Sequence, residues 1–409
     1  MVPKGWYEHT LDELALVERG KFSVRPRNDP RYYGGHMPFV QTGDVTSSGT
    51  YLSGYSQTLN EDGVGVSKVF PKDTILITIA ANIGDTAITV YEVACPDSVV
   101  AIQPYKDVAD VYWLKKHLET RKADLDAQST QNAQKNINLQ VLKPLLILTP
   151  PLPEQRKIAA ILSTWDKAIT TTEQLLANSQ QQKKALMQQL LTGKKRLLDE
   201  NGERFRGEWK WSKVSDLLKV RKEKQVPTED IPLFSLTIED GVTPKSDRYN
   251  REFLVKNTDE KKYKLVNPKD IVYNPANLRW GAINFSRIDH SVVVSPIYEV
   301  LFLKDENKTS LEFIAQKLMT PDQIGRFAAM VEGTLVERMA VKIEPFLATK
   351  LSVPPTLEEQ QKIASVLTVA DEEISALQQK IETLKQEKKA LMQQLLTGKR
   401  RVKVDEVAA

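Results

Sequence analysis

The sequence predicts an α+β fold in which two mixed α/β domains are separated by two long antiparallel coiled-coil helices, with a pseudo-twofold internal duplication. Three observations predict this fold. A segment that reads KKALMQQLLTGKKR at 183–196 returns as KKALMQQLLTGKRR at 388–401. A heptad pattern of apolar residues leads into each copy of this segment. The length of 409 residues suits two domains of about 150 residues together with the helices.

The two copies share one register. Upstream of the repeated segment, EQRKIAAIL at 154–162 matches EQQKIASVL at 359–367. Glu154 therefore corresponds to Glu359, which lies 205 positions later, and the repeated segment keeps the same shift. This constant shift indicates that the chain is two copies of one unit. We expect a chain of two copies to contact a target that also has two parts.

The heptad pattern defines a seam, the set of residues that we expect each helix to bury against the other. In the second copy the seam residues are nearly all aliphatic and, with Ala370 and Lys388, follow at steps of four and three: Ile363, Leu367, Ile374, Leu377, Ile381, Leu384, Leu391 and Leu395. In the first copy they are Ile158, Leu162, Trp165, Ile169, Leu176, Leu186 and Leu190. Thr172, Ser179 and Lys183 interrupt the first copy, and the sequence leaves open what these polar residues contact.

The ends of both helices carry the residues that start and stop helices. The proline-rich segment 150–153 prevents a helix upstream and suits a first turn. In the second copy, Thr356 and Glu359 have the spacing of a capping box. Gly193 and Gly398 are placed as left-handed C-caps. Each helix should therefore have about 39 residues and a length of about 58 Å. Two ordinary core helices of one large domain are the alternative.

The remaining segments show the alternation that is typical of short strands. The prediction divides the chain into a first domain (1–150), a first long helix (151–198), a second domain (199–354), and a second long helix with the C-terminal tail (355–409). The first domain should begin with a short helix that includes Leu11, Leu14, Ala15 and Val17, and continue with strands at 38–41, 75–80, 86–91 and 98–103 and a helix at 109–123. The second should contain strands at 231–236, 270–274, 282–286 and 292–303 and helices at 309–319 and 321–330.

Composition limits the classes of protein. The net charge is only +4, from 57 basic and 53 acidic residues. Any nucleic-acid binding must therefore rely on local basic clusters, or on a partner that supplies phosphate contacts. The single cysteine, Cys95, rules out a disulfide framework and fits a reducing cytoplasm. With no stretch of 18 apolar residues and no signal-peptide core, we expect a cytoplasmic chain without membrane contact.

Polar and aromatic side chains cluster in a few segments that we interpret as DNA-binding candidates. Basic and aromatic residues alternate in RPRNDPRYYGGH at 25–36, and amides are dense at 128–138. Guanidinium groups pair with guanine edges or phosphates, and Gln and Asn amides pair with adenine. The candidates are Arg25, Arg27, Arg31, Tyr32, His36 and Gln131 in the first domain and Arg248, Asn250, Arg251, Lys262, Asn277 and Arg279 in the second. Solvated surface loops are the alternative.

Motifs of catalysis are not found. The segment Thr192-Gly193-Lys194 lacks the upstream glycine of a phosphate-binding loop. The four histidines are scattered without metal-ligand spacing. The segment 274–277 is similar to a methyltransferase motif, but its third and fourth residues are wrong. We therefore predict no catalytic and no metal-binding residues, and we expect the end of this strand to present its polar side chains to a ligand.

The whole arrangement resembles the specificity (S) subunit of type I restriction-modification systems. The most specific matches are PPLPEQ at 150–155, the repeated LTGK(K/R)R, and NDPRYYGG at 28–35. The segment YKLV at 263–266, followed by IVYNP at 271–275, is similar to a common type of target domain in that family. Two departures are small, since the second proline-rich segment reads PPTLEEQ and Tyr33 replaces a tryptophan.

The resemblance implies a function. Each domain would be a target-recognition domain that reads one half of a bipartite double-stranded DNA sequence. The helices would act as a spacer and dock two modification subunits, which carry the methyltransferase activity, and restriction subunits would complete the complex. The chain itself would have no catalysis and no cofactor, with S-adenosylmethionine, ATP and Mg²⁺ expected only on the partner subunits. Half-sites one helical turn apart would be separated by about 34 Å.

Two other classes of protein compete with this interpretation. The chain could be a coiled-coil scaffold for proteins without DNA specificity, or a self-contained DNA adenine methyltransferase. Loops that interleave Arg with Tyr and Asn with Gln favour DNA recognition over the scaffold. The missing cofactor motifs argue against the methyltransferase.

Overall fold

The chain forms two compact units, each with one α/β domain. The computed structural model describes residues 2–128, 136–238, 241–244, 261–332 and 339–404. Unit 1 comprises Met1–Gln174 and Gln378–Ala409, and unit 2 comprises Leu175–Leu377. Each unit therefore contains one domain and a part of each long helix. This is the α+β fold class that the duplicated sequence predicts.

The domain of unit 1 consists mainly of short strands. Its elements are β1 (Tyr7–Thr10), α1 (Leu11–Leu14), β2 (Ala15–Arg19), β3 (Tyr33–Phe39), α2 (Thr42–Ser47), β4 (Gln57–Leu59), α3 (Glu61–Gly65), β5 (Val69–Phe70), β6 (Ile75–Thr78), β7 (Thr86–Ile88), β8 (Val93–Ala94), β9 (Val99–Pro104), α4 (Val111–Thr120), α5 (Lys122–Ala127), α6 (Leu139–Leu142) and β10 (Leu146–Thr149), followed by the long helix α7 (Leu152–Leu190). Strands β2, β9, β6 and β7 form one antiparallel sheet in that order. Strands β4, β3, β8 and β5 form a second sheet, in which β3 and β8 are parallel.

The domain of unit 2 follows the same plan with different details. Its elements are β11 (Lys210–Lys213), α8 (Val214–Leu217), β12 (Leu218–Val220), β13 (Lys224–Gln225), β14 (Phe234–Thr237), β15 (Gly241–Pro244), β16 (Tyr263–Val266), β17 (Ile271–Tyr273), β18 (Ile283–Phe285), β19 (Val292–Val294), β20 (Glu299–Leu303), α9 (Leu311–Leu318), α10 (Pro321–Ala329), α11 (Ile343–Ala348) and β21 (Lys350–Val353), followed by the long helix α12 (Leu357–Leu395). Its central sheet has the order β12, β20, β17, β18, which mirrors that of unit 1. The smaller sheets, β13–β16–β19 and β14–β15, differ from those of unit 1.

The central sheet of unit 1 buries both of its faces because successive residues of β6 point to opposite sides. Ile75 and Ile77 face a core that includes Trp113 of α4 and Ile158 of α7. Leu76, between them, faces a second core under the other sheet. One face of the domain is therefore packed against the long helix, and the second sheet lies on the opposite face.

The long helices run antiparallel within each unit. Both α7 and α12 contain 39 residues, the length that the heptads and caps predict. In unit 1, Asp166 of α7 contacts Lys388 of α12, and Glu173 contacts Lys385. Residue numbers therefore increase along α7 in the direction in which they decrease along α12, so the two helices are antiparallel. Contacts of Ser179 with Glu373 and of Lys183 with Asp371 show the same direction in unit 2.

Three predicted elements differ from the structure. The helix expected over 109–123 is interrupted at Arg121, whose backbone N–H bonds to Leu118 in a tighter turn, so α4 and α5 are separate. The strand expected over 292–303 is divided into β19 and β20 by a turn that contains Pro296, which has no N–H to pair within a strand. The apolar pattern that starts at Leu11 is helical only to Leu14, because the following residues pair with β9.

Among the described residues, no helix combines the length and the hydrophobicity that a membrane crossing requires.

Candidate nucleic-acid interface and helix seam

The basic segment 25–36 forms an exposed loop with a short 3₁₀ turn (Pro30–Tyr32), and its last four residues begin β3. The Arg31 side chain is 78% exposed and forms an ion pair with Asp29 at 2.6 Å. Its guanidinium also lies over the Tyr32 ring, 5.8 Å from the centroid. An exposed ion pair of this kind is weak, because water and salt screen the attraction between its charges. A phosphate or a base edge can therefore compete for this guanidinium at little cost.

The side chains of the other candidates in this segment differ in their hydrogen bonds and exposure. Arg27 makes two hydrogen bonds to Asp97, at 2.8 and 2.9 Å. Arg25 donates to the backbone carbonyl of Val24 at 2.7 Å. The ring of Tyr32 packs edge-on against buried Phe22, at 6.3 Å between centroids. Tyr32 therefore anchors the loop to the core and also supports the Arg31 side chain. His36 is exposed on β3.

In unit 2, a short 3₁₀ turn (Leu278–Trp280) joins β17 to β18 and carries an exposed tryptophan. Trp280 is 59% exposed, and the Arg279 guanidinium lies 4.0 Å from the centroid of its ring. The turn is rigid, because Asn277 bonds back to Asn274 and Gly281 closes it in the left-handed conformation. The turn therefore presents the tryptophan to solvent, with the half-buried Arg279 guanidinium over its ring.

Arg279 has spare hydrogen-bonding capacity. Its Nη1 lies 3.5 Å from the Met339 sulfur, a weak acceptor, and its Nε is buried without a partner among the described residues. The candidate Asn277 lies half-buried two residues away, and Lys262 is exposed just before β16. The structure thus places Asn277 beside Arg279 in one turn, whereas it gives no contact between Lys262 and either of them. The candidates Gln131, Arg248, Asn250 and Arg251 lie outside the described residues.

Every seam residue is buried or half-buried in the helix pair. The polar interruptions have partners there. Thr172 donates to the carbonyl of Ala168 one turn earlier, at 2.8 Å, within its own helix. Ser179 donates to Glu373 on the other helix, at 3.1 Å. The interruptions therefore contribute hydrogen bonds inside the seam rather than gaps.

The two seam lysines each pair with an aspartate of the opposite helix. Lys183 contacts Asp371 in unit 2, and Lys388 contacts Asp166 in unit 1. Both partners are related by the same shift of 205 positions, so one ion pair occurs twice. These aspartates were not predicted from the sequence. Their shared register with the lysines was the signal that could have identified them.

Asp166 also joins the first domain to the helices. Its carboxylate accepts hydrogen bonds from Tyr112 at 2.6 Å and from Thr50, and it contacts the ammonium of Lys116 at 2.9 Å. Burial raises the pKa of the Asp166 carboxyl, but the charge of Lys116 and the hydrogen-bond donors around it outweigh this effect. The net pKa therefore lies well below the ordinary value. A groove of about 690 Å³ lies beside this cluster.

A second contact, between a glutamate and an arginine, is also repeated in both units. Glu154 in the first turn of α7 accepts two hydrogen bonds from Arg401, both at 2.7 Å, and one from the Trp6 indole at 3.1 Å. In unit 2, Glu359 in the first turn of α12 accepts two from Arg196, one of them at 2.7 Å. The glutamate of the PPLPEQ segment and the last arginine of LTGK(K/R)R are therefore partners. This explains why both motifs occur once per copy.

The geometry of each unit defines a class of protein, a duplicated chain in which each unit combines one α/β domain with parts of two antiparallel long helices, and in which the two domains expose different polar surfaces. A family model described as "Type I restriction modification DNA specificity domain" matches the chain twice, over residues 3–178 and 206–386. The chain belongs to this family, and the resemblance noted from its motifs is confirmed.

Known proteins agree with this assignment. The type I restriction enzyme MjaIX specificity subunit of Methanocaldococcus jannaschii is 23% identical over 98% of this chain and 95% of its own length. The type I restriction-modification S subunit of M. genitalium has a similar fold, with a TM-score of 0.60, 15% identity, and coverage of 95% of this chain and 96% of that one. A chain solved in work on complex assembly and conformational transition of the type I R-M system gives a TM-score of 0.57, with 16% identity over 98% and 100% of the two chains.

Proposed function

We propose that this chain is the DNA-recognising subunit of a type I restriction-modification complex, and that each domain reads one half of a bipartite double-stranded target. One observation carries the proposal. In each domain an arginine lies over an aromatic ring at the surface, Arg31 on Tyr32 and Arg279 on Trp280. A guanidinium held in this way can make bidentate contacts with guanine, while the ring contacts sugars or bases. The two surfaces differ in residues and geometry, as two different half-sites require.

The experiment measures DNA binding by the complex with its modification subunits, on duplexes in which each base pair of the two halves is varied. Arg31→Ala should relax base selectivity in one half only, and Arg279→Ala should relax it in the other half only. Loss of a bidentate base contact is worth about 1–3 kcal/mol at the affected position. Arg206→Ala is the matched control, because Arg206 is an exposed arginine outside both surfaces, 86% accessible in its side chain.

Two outcomes would contradict this proposal. One is a wild-type complex that binds all duplexes equally. The other is a pair of arginine variants that leave base selectivity in both halves unchanged.

We further propose that two modification subunits dock on the helices, and that they carry the S-adenosylmethionine chemistry while restriction subunits bind ATP and Mg²⁺. The repeated segment supports this proposal. Lys184, Gln188 and Gln189 are exposed in the first copy and recur, also exposed, in the second copy as Lys389, Gln393 and Gln394. Burial in the seam does not require identity at exposed positions, and the twenty residues before each segment differ at most positions. A partner that binds the same surface on both copies does require identical exposed residues.

Stoichiometry tests this docking surface. Charge reversal at Lys184 together with Gln188→Glu should reduce the number of bound modification subunits from two to one. The matching changes at Lys389 and Gln393 in the same chain should remove the second. Native mass spectrometry of the mixed proteins counts the subunits. Two modification subunits bound to the fourfold variant would exclude this surface.

The proposal includes the absence of catalysis by this chain. Among the described residues, no cluster of three or more His, Cys, Asp or Glu side chains could hold a metal ion. The chain alone, incubated with S-adenosylmethionine and target DNA, should transfer no methyl groups. Methyl transfer by the chain alone would instead support the methyltransferase alternative.

A further inference from the structure

A buried glutamine joins the first long helix to the first domain. Gln155, in the first turn of α7, is 1% exposed. Its Oε1 accepts a hydrogen bond from the backbone N–H of Asp110 at 2.9 Å. Its Nε2 donates to the carbonyls of Val108 at 3.0 Å and Pro150 at 2.9 Å. Asp110 is the N-cap of α4, so the amide connects the start of the domain helix to the start of the long helix.

The same joint occurs in unit 2. Gln360, in the first turn of α12, is 2% exposed. Its Oε1 accepts from the N–H of Ser310 at 2.9 Å, and its Nε2 donates to Lys308 at 3.3 Å and Pro354 at 3.2 Å. Ser310 is the N-cap of α9. All three hydrogen bonds are therefore repeated, although the smaller sheets and the exposed loops of the two domains differ.

The joint restricts rotation of the domain on the helix. A side-chain amide is planar, and three hydrogen bonds to its oxygen and nitrogen fix both its position and its orientation. The covalent connection beside it is made of prolines in both units, which limits backbone rotation. In unit 1, α4 packs directly under the central sheet. Fixing the start of α4 on α7 therefore fixes the sheet as well.

A device that is repeated in two otherwise different domains serves a property that the two halves share. Base choice is not such a property, because each domain reads its own half. The angle between a domain and its long helix is a property that both halves share. This angle determines which separation between half-sites the chain accepts. We infer that Gln155 and Gln360 are positioning residues that set the spacer length of the target. This inference rests on the proposed bipartite recognition.

The test uses the complex with its modification subunits and duplexes that keep both half-sites constant while the spacer is lengthened or shortened by one base pair. Gln155→Met and Gln360→Met conserve side-chain volume and remove all three hydrogen bonds. Each should reduce the preference for the native spacer by about fivefold to tenfold, the scale of one net hydrogen bond. Base selectivity within each half should be unchanged.

Gln323→Met is the matched control. Gln323 is 2% exposed in the second domain, and its Oε1 has no hydrogen-bond partner among the described residues. This variant should keep the native spacer preference. If Gln155→Met does not fold, Gln360→Met at the related joint decides the test alone.

The outcomes separate this inference from the proposed function. A wild-type complex without any spacer preference would refute the proposed bipartite recognition. A wild-type preference that persists in folded Gln155→Met and Gln360→Met would overturn the inference alone. Loss of base selectivity together with the spacer preference would also overturn it, because the joint would then only support the fold of the domain.

Discussion

Removing the arginine of a glutamate–arginine pair should destabilise unit 2 more than unit 1. In unit 2, Glu359 is fully buried, and Arg196 supplies both of its hydrogen bonds. Arg196→Met would leave an uncompensated buried carboxylate, which costs about 3–5 kcal/mol. Trp209, at the start of the second domain, does not donate to Glu359, since its Nε1 has no hydrogen-bond partner among the described residues.

The related pair in unit 1 is the internal control. After Arg401→Met, Glu154 would keep its hydrogen bond from the Trp6 indole at 3.1 Å. The side chain of Arg401 is 42% exposed, so water would reach the carboxylate more easily than at Glu359. We therefore expect a cost of about 1–3 kcal/mol, which is the range for one partially satisfied buried group. The difference follows mainly from one tryptophan and from exposure, since each arginine gives its glutamate two hydrogen bonds.

Hydrogen–deuterium exchange measures the two effects separately, because it reports the opening of each helix start in the full-length chain. A loss of 3 kcal/mol or more should accelerate exchange over 357–367 in Arg196→Met by about a hundredfold or more. Exchange over 152–162 in Arg401→Met should change less. Adding Glu359→Gln to Arg196→Met should recover part of the loss, since the buried charge is then removed. Equal acceleration in both single variants, or no recovery in the double variant, would contradict this prediction.

Two further predictions concern unit 1. Asp166→Asn should destabilise this unit by about 1–3 kcal/mol, because the buried ammonium of Lys116 loses the charge of Asp166 but retains its ion pair with Glu119. Asp371→Asn at the related, more exposed pair should cost less, about 1 kcal/mol at most. Urea unfolding of both variants gives the comparison, and equal costs would contradict it. Burial lowers the pKa of His117 to about 4; the unfolded chain therefore binds a proton near pH 6.5 that the folded chain does not bind, so stability should fall as the pH falls from about 6.5 to about 4. His117→Leu should flatten this part of the pH profile, and an unchanged slope would show that other groups cause it.

The long helices were predictable because their signals are local. Heptad spacing, the proline-rich segments and the capping glycines all lie within the helices or next to them, and the predicted length of 39 residues is confirmed. The domains were predicted less well, because short strands depend on partners distant in the sequence. Val17 fits a helical pattern with Leu11 and Leu14, yet pairing with Ile102 places it in a strand.

The site was predictable by region rather than by contact. The arginine–aromatic pairs were visible in the sequence, because both partners are neighbours along the chain. The glutamine joints were not, since Gln155 bonds backbone atoms of residues 108 and 110, which precede α4 and lie more than forty positions earlier in the sequence. Backbone groups leave no pattern in the sequence. The motif PPLPEQ therefore marked the position of Gln155, but it did not indicate the role of this residue.

The polar residues of the seam explain part of the asymmetry between the two copies, because they form ion pairs that occur in both. The first copy looks weaker in sequence, but its Lys183 has a counterpart in Lys388 of the more aliphatic copy, and each lysine contacts an aspartate of the opposite helix. An aliphatic seam alone would tolerate a shift by one heptad, because leucine packs against leucine in either register. Such a shift would separate each lysine from its aspartate and leave charges facing apolar residues, which is costly. The polar pairs therefore reduce the packing of the seam and in return select one antiparallel register, on which the placement of both glutamate–arginine pairs depends.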